Sequence, residues 1–307
     1  MTKVFIDGSA GTTGLRIVER LEARDDLELL ILPDELRKSP EARADALASA
    51  DIAFLCLPDD AAKESAALAA GSKVKIIDTS TAHRVDPAWV YGMPELAGQK
   101  ARILESNRIA NPGCHASGFI ALVAPLVQEG LLPKDALLSC FSLTGYSGGG
   151  KKMIAQYGDE NRDPLLDAPR VYGLTQVHKH LPEMATPCGL ESAPIFCPVV
   201  GDFYSGMEVT VSLFAKQLKG TLQAVQQLYA SYYQSGLIHF DPQADEDGLL
   251  SALAYEGRDD MGVSAFGNED RIILTSRFDN LGKGASGAAI QNMNILLGLP
   301  EATGLCV

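Results

Sequence analysis

Apolar positions group into short runs separated by helical stretches over the first hundred residues. Lys3 to Asp7 (KVFID) is a β-branched and apolar run, followed by a glycine-rich turn from Gly8 to Gly14. A segment from Leu15 to Arg24 then carries Leu15, Val18 and Leu21 at helical spacing. Further apolar runs occupy Leu27 to Leu32, Asp51 to Leu57 and Val74 to Asp78, with Ala-rich helical stretches near 41–49 and 60–70. Continuous apolar strands alternating with helices predict a parallel sheet covered on both faces. Beyond about residue 113 the strands change character. Ala136 to Leu143, Ala193 to Val200 and Met207 to Phe214 are longer, and Met207 to Leu213 alternates apolar with polar residues, the mark of a strand with one wet face. A second domain with a mixed or antiparallel sheet is therefore expected. Ala285 to Leu297 returns to an Ala-rich helix ended by Gly298 and Pro300.

Composition and charge remove several classes of partner. A chain of 307 residues, 46% hydrophobic and 21% charged, can bury a core without disulfide or metal staples. The net charge of −13 repels phosphate backbones and anionic lipid heads, so neither nucleic acid nor a membrane surface is expected as a partner. A small anionic substrate stays compatible, because screening confines the net field to about 10 Å. No signal peptide is visible at the N-terminus, and the longest apolar stretch, Phe119 to Val127, contains Pro125 and falls short of a membrane span. Cys56, Cys114, Cys140, Cys188, Cys197 and Cys306 show neither close pairing nor CxxC spacing, as expected of thiols in a reducing, cytoplasmic compartment.

Candidate chemistry concentrates in four places. Gly8, Gly11 and Gly14 read GxxGxxG between a strand and a helix, where glycine allows a tight turn and free helix amides can receive a pyrophosphate. Near the end of the second strand, Asp34 suits a ribose hydroxyl, whereas Arg37 and Lys38 suit a 2′-phosphate; either choice of cofactor fits. Asn111 to His115 (NPGCH) sets Cys114 at the start of a helix, which favours a thiolate nucleophile, while Cys56, Cys140 and Cys197 read as structural. His178 and His180 with Glu183 offer an acid/base and an orienting carboxylate. On an extended segment the two histidines point to opposite sides, leaving one to face Cys114. No third ligand accompanies them, so no metal is expected. His83, His115 and His239 read as ordinary surface or supporting residues. Gly145 to Lys152 (GYSGGGKK) reads as a flexible loop whose Ser147 and Lys151 could hold a phosphate, and Arg84 lies at the carboxyl edge of the sheet.

In order, GSAGTTG (8–14), LCLPDD (55–60), DTSTAHR (78–84), YGMPEL (91–96), NPGCHAS (111–117), GYSGGGKK (145–152), HKHLPEM (178–184) and LGKGASGAAIQNMN (281–294) resemble the N-acetyl-γ-glutamyl-phosphate reductases of arginine biosynthesis, in their shorter form. The resemblance implies an α/β architecture of semialdehyde dehydrogenase type. A Rossmann dinucleotide-binding domain over 1–113, with 285–307 folding back, would join an α+β catalytic and oligomerisation domain over 114–284. It implies NADP(H), Cys114 as nucleophile and His180 as acid/base. Cofactor contacts would fall on Gly8, Gly11, Thr12, Thr13, Gly14, Arg37, Lys38, Pro58, Ser80, Gly284 and Asn292, and substrate contacts on Arg84, Ser147, Lys151, His178 and Glu183. Thr81 and His83 stand where the family often has Ala and Phe. The expected reaction is reduction of a small acyl phosphate, N-acetyl-γ-glutamyl phosphate, to its 5-semialdehyde through a cysteine thioester, in a homo-oligomer, dimer or tetramer. A sibling acting on aspartyl or aminoadipyl phosphate, or a nucleotide sensor without chemistry, are the alternatives.

Overall fold

The computed structural model describes residues 1–307 and divides them into two compact units, Met1–Pro112 with Ala285–Leu305, and Gly113–Gly284 with Cys306–Val307. In the first unit, β1 (Thr2–Asp7), α1 (Thr12–Leu21), β2 (Leu27–Leu30), α2 (Pro40–Ser49), β3 (Ile52–Leu55), α3 (Asp59–Leu68), β4 (Lys75–Asp78), β5 (Val90–Tyr91), α4 (Gln99–Glu105) and β6 (Arg108–Ala110) follow in order. Their strands form one sheet ordered β2-β1-β3-β4-β6-β5, parallel throughout. The strand sequences read as unbroken apolar runs because each face has its own core. Val4, Ile6, Ile52, Phe54 and Ile77 point to one side, against α1 and the C-terminal helix Gly287–Leu296. Phe5, Ala53, Leu55 and Ile76 point to the other, with Leu47 of α2. Local chemistry sets the helix starts: Ser39 caps α2 by accepting from the Ala42 amide, with Pro40 in the first turn.

The second unit opens with α5 (Cys114–Gln128), followed by β7 (Ser139–Gly145), α6 (Gly150–Tyr157), β8 (Arg170–Val171), α7 (His180–Ala185), β9 (Ile195–Gly201), β10 (Met207–Phe214), α8 (Leu222–Tyr232), β11 (Ile238–Phe240), β12 (Met261–Gly267) and β13 (Arg271–Phe278). The sheet order is β11-β12-β13-β10-β7-β9-β8; β7 with β9 and β11 with β12 run parallel and the remaining pairs antiparallel. It is a mixed sheet. α5 is apolar around most of its circumference and buried from His115 to Val127. It lies against the face formed by Val209, Ser276 and Phe278, and Gly118 makes that closeness possible: a Cβ there would come within 2.5 Å of Val209 and 2.7 Å of Ser276. The opposite face leaves Phe141, Ile195, Phe214 and Ile273 exposed. No helix is long and apolar enough to cross a membrane.

Two local expectations change. The segment from Gly145 is no flexible loop: Tyr146–Gly149 forms a 3₁₀ turn that runs into α6, which carries Lys151. The C-terminal helix is preceded by a π-helical turn over Gly282–Ser286, because glycines there relax the ordinary helical pitch.

Gly118→Ala gains helix propensity but must push the sheet away, so it is expected to lower the unfolding free energy by about 1–3 kcal/mol in a denaturant titration.

Candidate active site

Cys114 is the first residue of α5, with Gly113 at the N-cap in extended conformation and no acidic side chain in the first turn. A thiolate there meets the positive end of the helix dipole. The turn is anchored from outside the helix. The Gly113 amide donates to Glu183 Oε1 at 2.7 Å, and Glu183 is almost fully buried. Across the turn, Gly284 is what lets its segment reach Cys114, since a Cβ there would lie 2.9 Å from the Cys114 Cβ. The six cysteines form no disulfide, and burial pushes the Cys56 thiol up to about 12 and those of Cys140 and Cys188 further, consistent with inert core roles.

A cavity of about 150 Å³ is lined by Cys114, His115, Thr144, Gly145, Gly148, Gly149, Met153, Tyr172, His178, Lys179, His180 and Val200. Three histidines converge on it. The ring centroids lie 4.9 Å apart for His178 and His180, 5.3 Å for His115 and His180, and 6.1 Å for His115 and His178. The expectation that His178 and His180 face opposite ways is corrected, because the segment turns into α7 rather than extending: the His180 amide donates to His178 Nδ1 at 3.3 Å. His180 Nε2 stands 3.9 Å from Glu183 Oε2, so one carboxylate serves both the Cys114 turn and the imidazole. Burial lowers the His178 pKa, helped by Lys179 and opposed by Glu183. His115, read from sequence as ordinary, is buried beside Cys114 and held neutral, its pKa lowered to about 3 by burial and then by His178.

In the first unit the glycine turn fits a dinucleotide. Gly8 adopts φ +87° and would strike the Cys56 carbonyl if it carried a Cβ, while Gly14 packs against the Gly8 carbonyl; a Cβ on Gly11 would meet nothing nearer than 3.4 Å, which leaves its surface open to a phosphate. Gly11 is also the N-cap of α1, with Thr12 and Thr13 in the first turn and no side-chain cap competing for the amides. Asn292 donates to the Gly92 and Ala288 carbonyls at 2.8 and 2.9 Å and leaves its buried Oδ1 without a partner, an acceptor suited to a carboxamide N–H.

A family model described as the semialdehyde dehydrogenase dimerisation domain matches residues 114–280, and one described as its NAD binding domain matches 33–103. The chain is 48% identical over 306 residues to N-acetyl-gamma-glutamyl-phosphate reductase of Brucella ovis, covering 96% of this chain and 99% of that one. It is 44% identical over 318 residues to N-acetyl-gamma-glutamyl-phosphate reductase 2 of Nostoc, covering 99% of each. The chain belongs to the N-acetyl-γ-glutamyl-phosphate reductase family. The fold is that of the semialdehyde dehydrogenases at large: aspartate semialdehyde dehydrogenase II of Vibrio cholerae superposes with a TM-score of 0.74 at 18% identity, covering 97% of this chain and 98% of that one. For the aspartate semialdehyde dehydrogenase of Candida albicans the TM-score is 0.67 at 15% identity, over 98% and 99%.

Other residues that the family motifs single out lie outside the cavity lining. Ser147 is buried and accepts from Asn280 Nδ2 at 2.9 Å, and Lys151 is exposed on α6; neither lines the cavity, whereas Gly148, Gly149 and Lys179 do. Arg84 donates to the carbonyls of Asn111 and Thr79, bracing the ends of β6 and β4. Ser80 donates to buried Asp78 at 2.8 Å, and Pro58 sits exposed at the start of α3. Arg37 meets Asp34 in an exposed pair at 3.4 Å, and Lys38 is exposed beside it. The two family departures are both engaged: Thr81 bonds to Asp59 through its amide and hydroxyl. His83 is buried, not superficial, with Nδ1 2.7 Å from Asp78 and its ring stacked 4.0 Å over Trp89. His115, Thr144, Tyr172 and Lys179 are the polar cavity residues that sequence alone did not nominate as site residues. Only the adjacency of His115 to Cys114 and of Lys179 to two histidines could have marked them.

Glu183→Ala removes the acceptor of the Gly113 amide and is expected to cost about 1–3 kcal/mol of stability in a denaturant titration. Glu183→Gln keeps an oxygen there and should cost less. Equal losses for the two would show that the contact with Gly113 is not the stabilising one.

Proposed function

We propose that the chain catalyses NADPH-dependent reduction of N-acetyl-γ-glutamyl phosphate to N-acetylglutamate 5-semialdehyde and phosphate, in arginine biosynthesis and in the cytoplasm. One observation carries the reading: a cysteine at a helix N-terminus shares a small cavity with His178 and His180, in a chain alike from end to end to reductases of that name.

Cys114 attacks the acyl carbon; the carbon–sulfur bond forms as phosphate leaves with the electron pair of the broken carbon–oxygen bond. His180 accepts the thiol proton, and Glu183, 3.9 Å from its Nε2, keeps the imidazole oriented. The Gly8–Gly14 turn and Asn292, with Arg37 and Lys38 at the 2′-phosphate, would hold NADPH, whose chemistry would be hydride donation to the carbon of a thioester. Collapse of the adduct on Cys114 then breaks the carbon–sulfur bond, releases the aldehyde and returns the proton from His180 to sulfur. Lys179 and His178 line the cavity on the side of α7 and would meet the phosphate. A thioester is the reason for the cysteine, since it takes hydride far more readily than a carboxylate. The sibling acyl phosphates would undergo the same steps, and the full-length likeness to reductases named for the acetylated glutamyl compound favours that substrate over them.

Run backwards, N-acetylglutamate semialdehyde with NADP and phosphate is expected to form NADPH only when phosphate is present, while aspartate semialdehyde stays silent; activity with the aspartate compound alone would reassign the substrate. Cys114→Ser is expected to hold less than about a hundredth of the turnover with NADPH binding unchanged, and His180→Asn to slow the reaction by about 10² to 10⁴. Should His178→Asn be the more damaging change, the two histidines exchange roles.

Self-association is supported by the match to a dimerisation domain and by the bare sheet face bearing Phe141, Ile195, Phe214 and Ile273. Phe141→Glu is expected to shift the protein to smaller species in sedimentation velocity, and an unchanged profile would place the contact elsewhere.

A further inference from the structure

We propose that Tyr172 is the hydrogen-bond donor that holds the acyl oxygen while Cys114 attacks, and that His115 and Ser142 position it by deciding where its proton points. This rests on the thioester reaction proposed above.

The three side chains form a chain of hydrogen bonds beside the nucleophile. His115 Nδ1 lies 2.7 Å from Ser142 Oγ, and His115 Nε2 lies 2.7 Å from Tyr172 Oη. Burial keeps His115 neutral, so its ring has one N–H and one lone pair, and only two arrangements exist. If Nδ1 carried the proton, Ser142 would have to accept it and send its own hydroxyl proton elsewhere. That proton has nowhere to go, because Ser142 is fully buried and the His115 ring is the one hydrogen-bonding neighbour of its Oγ. The satisfied arrangement is the other one: Ser142 donates to Nδ1, and Nε2–H donates to the phenol oxygen. Every buried donor in the chain is then spent except the hydroxyl proton of Tyr172.

Tyr172 lines the same cavity as Cys114. Its phenol remains protonated, since burial raises its pKa and a negative Cys114 nearby raises it further. A donor that cannot ionise and cannot turn back to His115 is thus aimed into the space where the acyl oxygen becomes negative. The amide of Gly113, next to the nucleophile, is already spent on Glu183.

The arrangement is read first in the unaltered enzyme, by nitrogen-15 NMR of histidine-labelled protein. His115 is expected as the Nε2–H form with an unprotonated Nδ1, and an Nδ1–H form overturns the proposal. Tyr172→Phe is expected to lower kcat about 10²-fold in the phosphorylating direction, with KM within about twofold and an unchanged pH profile for iodoacetamide alkylation of Cys114. An unchanged kcat overturns the proposal, as does a shifted alkylation profile, which would mean that the phenol serves the thiolate instead. Ser142→Ala leaves the phenol in place but frees its proton to turn to Nε2, so kcat should fall about tenfold; no fall overturns the positioning role. If the wild type does not turn over the acetylated semialdehyde, the proposed reaction fails while the NMR result still decides the hydrogen-bond arrangement.

Discussion

A buried carboxylate governs the reactive part of the molecule. Glu183 is taken almost wholly out of water, a cost that only good hydrogen bonds can offset, and it meets that cost with the Gly113 amide and the neighbouring His180. The same two contacts fix where α5 begins and where the imidazole stands. Cys114 and His180, far apart in sequence, therefore hold one geometry instead of two independent ones. Glycine serves the same end where side chains would intrude: Gly118 brings α5 down onto the sheet, and Gly284 lets a further segment reach the thiol.

The two sheets divide the work by how many of their faces are covered. The parallel sheet is buried on both sides, and its strands end at a turn whose open surface at Gly11 and free helix amides suit a pyrophosphate. The mixed sheet has one face under α5, with Ser142 of β7 directed to that face and bonded to His115, and one bare face that carries apolar side chains. Covered, the first face carries residues of the candidate site; bare, the second is the face proposed above for self-association.

Elements with strong local signals were legible in the chain. Apolar runs gave β1, β3 and β4, alternation gave β10, and the cysteine after Pro112 and Gly113 stands at a helix start as its neighbours dictate. What local pattern cannot encode is which side chains a turn brings together. His178 and His180 converge because the chain enters α7 between them, a tertiary preference that overrides the two-residue alternation of an extended segment. Ser147 and Lys151 carry phosphate-binding chemistry in name, yet the 3₁₀ turn buries one and α6 turns the other to solvent. His115 and Tyr172 lie 57 residues apart and are brought together by tertiary packing, with Ser142 of β7 and Phe196 of β9 against the His115 ring, so no spacing rule announces them.

The claim on which this account turns is that Cys114 carries the acyl group. Incubating the enzyme with N-acetylglutamate semialdehyde and NADP in the absence of phosphate removes the group that resolves the thioester, and mass spectrometry of the digested protein then reads what has accumulated. The account predicts an N-acetylglutamyl adduct on the peptide containing Cys114, lost when phosphate is added. An enzyme that turns over with phosphate yet shows no adduct without it, or shows the adduct on another cysteine, would contradict the account.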